Sequence, residues 1–255
     1  MSFKTLIKDS LLEVGLYHKV NNFRFRDDER NRAQEKFYAK VINKTDLVFD
    51  VGANIGQRAE IYAKLANKVV AIEPQPNCLR HLKSRFKFNR QVVIEAIALA
   101  DKPGEAKMWQ SDSPGISSMS RRFIDTMGQS VFRNEHWDKE ITVPTRTLDE
   151  LIEKHGLPNF MKLDVEGFEI TVLRGLTKAI PFLSFEYTPE MIDEAQACLA
   201  RVNEISGDYQ YNYCLGEDLE FVLPAHLDYA DFVEHVEKVI SHLDTFGDVY
   251  AVLKR

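Results

Sequence analysis

Acidic residues stand at the ends of several apolar segments of this 255-residue chain. Asp50 and Glu73 close two of them, Asp164 with Glu166 closes a third, and Glu186 stands near the end of a fourth. In a parallel α/β sheet, ligands bind outside the carboxyl ends of the strands. The pattern predicts that four strands bring these carboxylates to one edge of a sheet, where they could bind a cofactor or move a proton.

The loop after the first of these segments reads DVGANIG from Asp50 to Gly56. A glycine directly after a strand, here Gly52, lets the backbone turn tightly and approach a ligand without a Cβ in the way. The dinucleotide fingerprint G-x-G-x-x-G needs one more glycine than this loop has, and a carboxylate two residues before Gly52 would repel a diphosphate. The loop therefore suits a ligand that carries an amine, and it disfavours a nicotinamide cofactor.

Glu73 follows Gly52 by 21 positions, at the end of the second apolar segment. An acid about 20 residues after the glycine loop is where nucleotide-binding folds hold the two ribose hydroxyls. The alternative is that Asp50 and Glu73 only cap helix N-termini, where carboxylates are favourable. Their joint spacing with the glycines favours a ligand site. A ligand with a ribose and an amine, but little tolerance for phosphate, describes S-adenosylmethionine.

Short apolar segments alternate with helical patterns over most of the chain. The predicted strands include 47–51, 68–74, 92–100 and 160–167, with a further strand before Pro189. This alternation predicts an α/β fold with a doubly wound, mostly parallel sheet and helices on both faces. Residues 1–45 are expected to form an N-terminal helical extension, and 46–255 the main domain.

The segment 111–139 shows no clear period and is rich in polar residues. A stretch of this length inside a compact domain is typical of a functional loop or lid. Its Ser117, Ser118, Ser120, Arg121 and Arg122 would suit the hydroxyls or phosphate of a saccharide acceptor. A polar surface excursion is the equal alternative.

Several stretches together resemble the FkbM-type methyltransferases: FDVGANIGQ, AIEPQP, residues 98–104 and KLDVEGFEITVLRGL. The resemblance covers roughly residues 45 to 190. It implies the Rossmann-like class I fold with a seven-stranded sheet. It also implies an S-adenosylmethionine-dependent enzyme that methylates hydroxyl groups of sugars or natural products.

The resemblance assigns roles by position as well. The loop from Asp50 to Gly56 is implied to hold the methionine portion of the cofactor, Glu73 its ribose, and Asp164 to lie beside the transferred methyl group. The full implied set is Asp50, Gly52, Ala53, Asn54, Gly56, Glu73, Pro74, Ala98, Asp101 and Asp164. Asp101 directly precedes a KPG turn, so simple turn chemistry is an equal alternative for it.

An acceptor hydroxyl is a weak nucleophile until its proton leaves, so a general base is expected. The candidates are Asp164, Glu166, Glu186 and His136. The three carboxylates are favoured because strand ends are rigid, and because clustered acids raise one another's pKa. Such a cluster could instead hold a divalent metal, but no ligand spacing supports one, and none is predicted.

Composition limits the partners. The net charge is −6 at pH 7, with 33 basic and 39 acidic residues, so no nucleic-acid partner is expected. Three widely spaced cysteines favour a reducing, cytoplasmic location. No apolar run approaches the length of a membrane span. An amphipathic pattern from Phe3 to Val14 predicts a helix that packs on the domain or on a second subunit, as in a homodimer. A helix that lies on a membrane surface is the alternative.

The leading hypothesis is an S-adenosylmethionine-dependent O-methyltransferase that modifies a hydroxyl of a saccharide or natural product. A nicotinamide-dependent oxidoreductase and a non-catalytic cofactor-binding scaffold are the alternatives.

Overall fold

The computed structural model describes Leu12, residues 28–216 and residues 219–254. The strands in this part of the chain are β1 Leu47–Val51, β2 Lys68–Ile72, β3 Val92–Glu95, β4 Ala98–Leu99, β5 Gly104–Gln110, β6 Lys139–Arg146, β7 Phe160–Leu163, β8 Phe182–Tyr187, β9 Tyr209–Leu215 and β10 Gly247–Leu253. The helices are α1 Asp28–Tyr38, α2 Gln57–Leu65, α3 Pro76–Arg85, α4 Arg121–Gln129, α5 Leu148–His155, α6 Glu169–Arg174, α7 Ile192–Ile205 and α8 Tyr229–Lys238.

Seven of the strands form one sheet in the order β3-β2-β1-β7-β8-β10-β9. The pairs from β3 to β8 are parallel, and β10 is antiparallel to both of its neighbours. The chain moves outward from β1 to β3 and then returns to place β7 beside β1. The predicted doubly wound, mostly parallel, seven-stranded sheet is confirmed, and its switch in strand order lies between β1 and β7.

Both faces of the sheet are covered by helices, which explains the continuous apolar runs of its strands. On one face, Tyr38 of α1 and Tyr62 of α2 pack edge-on, with ring centroids 4.9 Å apart. On the other face, α5, α6, α7 and α8 bury residues such as Leu148, Leu199 and Phe232. The helix α5 begins at the predicted N-cap Thr147, whose side chain accepts a hydrogen bond from the Glu150 amide at 3.1 Å.

The predicted single strand over 92–100 is wrong in one respect, because it divides between two sheets. Pairing with β2 ends at Glu95, whereas Ala98 and Leu99 pair with Thr145 and Arg146 of β6. The strands β4, β6 and β5 form a separate three-stranded sheet. A continuous apolar run shows that a segment is buried, but it does not show which strand each half pairs with.

The segment 111–139 is also more regular than its composition predicts, because it contains the helix α4. Ser120 caps this helix by accepting a hydrogen bond from the Phe123 amide at 3.1 Å. Phe123, Ile124 and Met127 pack on Trp137 and Met191 in a small core of their own. The segment is therefore a folded unit beside the main sheet.

The predicted helix from Phe3 to Val14 lies outside the described residues except for Leu12, which is buried. The proposed dimer contact through it stays a prediction. Within the described chain, no helix is both long and apolar enough to cross a membrane.

Candidate active site

A cavity of about 540 Å³ opens at the carboxyl ends of β1, β2 and β7, where the order of strands reverses. Its wall is formed by the glycine loop after β1, the loop after β2, the start of β4 and the turn after β7. The residues predicted from the sequence that line it are Asp50, Gly52, Ala53, Asn54, Glu73, Pro74, Ala98, Asp164 and Glu166. The fold thus brings most of the predicted site together.

Gly52 is required by a close approach between two loops. Its φ is +83°, and a Cβ atom there would lie 1.7 Å from the carbonyl oxygen of Asp164. The amides of Gly52 and Ala53 both donate to the carbonyl oxygen of Ile72, each at 3.0 Å. The loop is therefore fixed against both β2 and β7, and a side chain at position 52 would separate them.

Glu73 is buried, and each of its carboxylate oxygens accepts one backbone hydrogen bond. The amide of Asn54 donates to Oε2 at 2.9 Å, and the amide of Gln75 donates to Oε1 at 2.8 Å. Burial raises the pKa of Glu73 to about 7, although these hydrogen bonds act to lower it. The Gln75 side chain also donates to this carboxylate, which still lines the cavity and can accept from a ribose hydroxyl as well as holding the loop.

Asp50 is buried, and among the residues that the structure describes nothing hydrogen-bonds its Oδ2 atom. Burial raises its pKa to about 7; Arg58 opposes that shift, and Asp164 adds to it. A buried acceptor without a partner is costly, because it has lost its hydration. A ligand ammonium group in the cavity would supply the missing donor and charge.

Arg58 is a site residue that the sequence reasoning missed. It is the second residue of α2, it lines the cavity, and its Nη1 atom donates to Oδ2 of Asp164. The residue could have been predicted from its position, because it lies two residues after Gly56 at the start of the helix that follows the glycine loop.

Lys162 was also missed, although it lies two residues before Asp164 on β7. The ammonium group is fully buried, 2.5 Å from Oδ1 of Asp248 and 3.8 Å from Oδ2 of Asp164. Burial of Asp164 acts to raise its pKa, but Lys162 and then Arg58 hold the pKa below its usual value. Asp164 is therefore the ionised carboxylate at this end of the site.

Glu166 and Glu186 lie beside Asp164, with one carboxylate oxygen of each residue within 4.8 Å of the others. Burial raises the pKa of Glu166 well above its usual value, and Glu186 and Asp164 raise it further. Burial and Asp164 do the same to Glu186. Three carboxylate oxygens at this spacing are also ligands of the type that a hard divalent cation takes. The chain itself provides two cations, Lys162 and Arg58, beside Asp164.

The turn that carries Glu166 is held in an uncommon conformation. Glu166 has a φ of +56° and Gly167 a φ of +80°. A Cβ atom at Gly167 would lie 2.7 Å from the Cβ of Phe123 in α4. The hydroxyl of the buried Ser118 donates to the carbonyl oxygen of Glu166 at 2.6 Å. The segment 111–139 therefore supports the turn directly, and Ser118 is not available to an acceptor as predicted.

Other predicted residues lie outside the cavity wall. Gly56 packs its Cα side against Leu82 and Phe86, where an added Cβ would approach each to 2.7 Å, so its role is structural. Asp101 is exposed just before the turn at Pro103, which agrees with the alternative that it takes part only in the turn. His136 is exposed, with Nδ1 3.8 Å from the Asp112 carboxylate.

Three further predicted residues are also absent from the main cavity wall. Glu186 lines a small second cavity beside Glu169 and Cys198 rather than the main one. Arg121 lies over the Trp109 ring, and Arg122 pairs with Asp193 and Glu194 at 2.7 and 2.9 Å. From the same segment, Gly115, Ser117 and Met119 do line the main cavity.

Comparison with known proteins identifies the class to which this fold and site belong. The model of the methyltransferase FkbM domain matches residues 50–242, and the chain therefore belongs to the FkbM methyltransferase family.

Among characterised proteins, the chain is similar to the hexuronic acid methyltransferase AglP of Haloferax volcanii. The two are 30% identical over 166 residues, which cover 64% of this chain and 63% of that protein. The alignment thus spans less than two thirds of the relative's length.

The fold is shared with a solved FkbM methyltransferase from Methylobacillus flagellatus. The TM-score is 0.51 at 15% identity, over 97% of this chain and 59% of that one. The predicted Rossmann-like class I methyltransferase fold is confirmed.

Proposed function

We propose that the chain is an S-adenosylmethionine-dependent O-methyltransferase that acts on a hydroxyl group of a saccharide. One observation carries this proposal: a single cavity joins Asp50 and Glu73 to Asp164 and Glu166. The first two residues match an amine and a ribose, and the last two lie where a proton acceptor is needed.

The residues of the cavity fit this cofactor at three points. Asp50 offers a buried carboxylate oxygen that lacks a donor among the described residues, and Glu73 offers a carboxylate on the cavity wall to a ribose hydroxyl. Gly52 lets the glycine loop lie directly against the carbonyl oxygen of Asp164, so the two parts of the cavity wall meet without a side chain between them. When bound, S-adenosylmethionine supplies a methyl group on a positively charged sulfur.

Glu166 is the residue we assign as the general base. It lines the cavity, whereas Glu186 lies behind it and Asp164 is held ionised by Lys162 and Arg58. Burial together with Glu186 raises the pKa of Glu166 well above its ordinary range, so this carboxylate binds a proton more strongly than an exposed glutamate does. Glu186 thus serves to tune the base rather than to contact the acceptor.

The saccharide acceptor is supported by the name of the similar protein, a hexuronic acid methyltransferase. Gly115, Ser117 and Met119 line one side of the cavity. The glycine loop lies close to this side, because a Cβ atom added at Gly115 would be 3.4 Å from the side-chain nitrogen of Asn54. We therefore keep the 111–139 segment as the proposed cover of the acceptor site, with residues 115–119 rather than Arg121 and Arg122 as its inner face.

The decisive experiment is transfer of an isotope-labelled methyl group from S-adenosylmethionine to a panel of neutral sugars and hexuronic acids. We expect a product with the label on oxygen, identified by mass spectrometry and NMR. Glu166→Gln should lower the transfer rate by about a hundredfold or more while cofactor affinity changes little. His136→Gln, on the exposed surface, is the matched control and should transfer at the wild-type rate.

Two results would contradict the proposal. Binding of NAD in preference to S-adenosylmethionine would favour the oxidoreductase alternative. Full transfer activity in Glu166→Gln would show that another group removes the proton.

A further inference from the structure

Arg58 and Asp50 place opposite charges on one wall of the cavity, at the two ends of the glycine loop. Asp50 lies in β1 and Arg58 is the second residue of α2, so the loop from Gly52 to Gly56 connects them directly. Both side chains line the cavity that also contains Glu73. The function proposed above uses the carboxylate of Asp50 but gives the guanidinium of Arg58 no role in binding.

We propose that Arg58 and Asp50 form a clamp for the α-amino-acid end of the cofactor, with Arg58 binding its carboxylate and Asp50 its ammonium group. The inference rests on the proposed function and adds the residue that recognises the carboxylate. An α-amino acid carries both charges at neutral pH, so a cation and an anion on one wall match it. A guanidinium presents donors in a planar fork that fits a carboxylate with two parallel hydrogen bonds.

The contact between Arg58 and Asp164 is compatible with this role. A guanidinium has five N–H donors, and the bond from Nη1 to Asp164 leaves others for a second carboxylate. Lys162 supplies Asp164 with another cation, 3.8 Å away, so Arg58 is not its sole countercharge. Arg58 would then connect the amino-acid end of the cofactor to the strand β7, whose following turn carries Glu166.

Two other cations on the cavity wall make structural contacts. Lys64, two turns farther along α2, donates to Oε2 of Glu35 on α1 at 2.8 Å. Arg85 on α3 donates from Nε to the carbonyl oxygen of Ile55 at 2.9 Å. Of these three cations, Arg58 is the one that contacts the carboxylate of Asp164.

The test is isothermal titration calorimetry of the full chain with two ligands. S-adenosylmethionine is compared with its decarboxylated form, which keeps the sulfonium, the ribose and the amine but lacks the carboxylate. The wild-type chain should bind the complete cofactor about tenfold to a hundredfold more tightly, as expected for a charge-assisted hydrogen-bond pair. Arg58→Met should lose that preference: Kd for the complete cofactor rises, and Kd for the decarboxylated form changes less than about threefold.

Lys64→Met is the matched control, because it removes a cation from the same helix and the same cavity. Both of its dissociation constants should stay at wild-type values. If Arg58→Met weakens both ligands equally, or neither, the clamp is overturned. The proposed function still stands in that case, because the wild-type chain binds the complete cofactor. A wild-type chain that binds neither ligand would defeat the proposed function and the clamp with it.

Thermal unfolding of each variant shows whether it is folded before titration. Should Arg58→Met fail to fold, Arg58→Lys carries the same comparison, because it keeps the charge but loses the planar fork. A reduced preference for the complete cofactor is then expected. An undiminished preference in Arg58→Lys would overturn the clamp in that case.

Discussion

Asp50 and Glu73 are both buried carboxyls at strand ends, but they differ in what already binds them. Glu73 accepts two backbone hydrogen bonds, whereas Oδ2 of Asp50 has no partner among the described residues. Burial raises the pKa of each to about 7. A ligand that needs these groups ionised must therefore compete with protons near neutral pH.

The affinity for S-adenosylmethionine should consequently fall as the pH is lowered below about 7. Below the raised pKa, Asp50 and Glu73 are protonated in the free protein and must release a proton when the cofactor binds. For each proton released, Kd rises by up to about tenfold for every unit by which the pH is lowered. The affinity should be highest between that pH and about 8, and should fall again at higher pH as the cofactor's α-ammonium group loses its proton. Calorimetric titrations at pH values from about 5.5 to about 8.5, which bracket the pKa of about 7, would measure how log Kd changes with pH.

A second ligand separates the two carboxyls. 5′-Methylthioadenosine has the ribose but lacks the amino-acid portion and its α-ammonium group, so its affinity should follow Glu73 alone and change less steeply with pH. Asp50→Asn should reduce the slope for S-adenosylmethionine to that of methylthioadenosine. An unchanged slope in Asp50→Asn would show that Asp50 does not pair with the cofactor's ammonium group.

At the scale of the elements, β7 carries the charges that connect the site to the C-terminal part of the sheet. Lys162 lies on β7 and Asp164 directly follows this strand, with the Lys162 ammonium group 3.8 Å from Oδ2 of Asp164. The ammonium group of Lys162 contacts Oδ1 of Asp248 on β10, two strands away in the sheet. Asp248 in turn is the register partner of Glu186 on β8. The antiparallel strand β10 therefore helps to hold the charge of Asp164 at the active site.

Asp248→Asn should lower the free energy of unfolding by about 3 kcal/mol, because it leaves the buried Lys162 with Asp164 as its remaining carboxylate partner. Urea denaturation would measure this loss. Lys107→Met is the control, since it breaks an exposed pair with Glu140 on the second sheet and should cost less than about 1 kcal/mol. Equal losses in the two variants would mean that the buried pair contributes no more than a surface pair.

At the scale of the whole molecule, the acidic balance sets which partners the chain can approach. The net charge of −6 repels a polyanion, and the acidic cluster of Asp164, Glu166 and Glu186 lies at the site itself. Both features suit a neutral hydroxyl better than a nucleic-acid backbone.

No retardation of duplex or single-stranded RNA is therefore expected in a gel assay at about 150 mM salt and protein concentrations up to about 10 μM. An arginine-rich or lysine-rich RNA-binding protein serves as the positive control. A shifted band whose intensity falls with salt would contradict the prediction, and would reveal a basic surface that the overall charge does not indicate.

Much of the cofactor half of the site could be predicted from the sequence, because it depends on short segments. The glycine loop with Asp50, and Glu73 one strand later, follow from local spacing in a parallel sheet. Arg58 and Lys162 escaped this reasoning, since their roles arise from contacts with Asp164 and Asp248, far away in sequence. Helix α4 was missed because its three apolar residues pack on Trp137 and Met191 rather than on the main sheet.

The class of fold and the edge of the sheet that carries the acids could be predicted from the sequence, and both are confirmed; a ligand with a ribose and an amine stays a prediction. These follow from strand periodicity and from residue types at strand ends, which are local properties of the chain. Three properties of the acids became known from the three-dimensional arrangement alone: that the pKa of Asp164 is lowered, that the pKa values of Glu166 and Glu186 are raised, and that Glu186 lies outside the main cavity. Those differences depend on burial and on the distances to Lys162, Arg58 and one another, because the strength of electrostatic interactions is set by position in space.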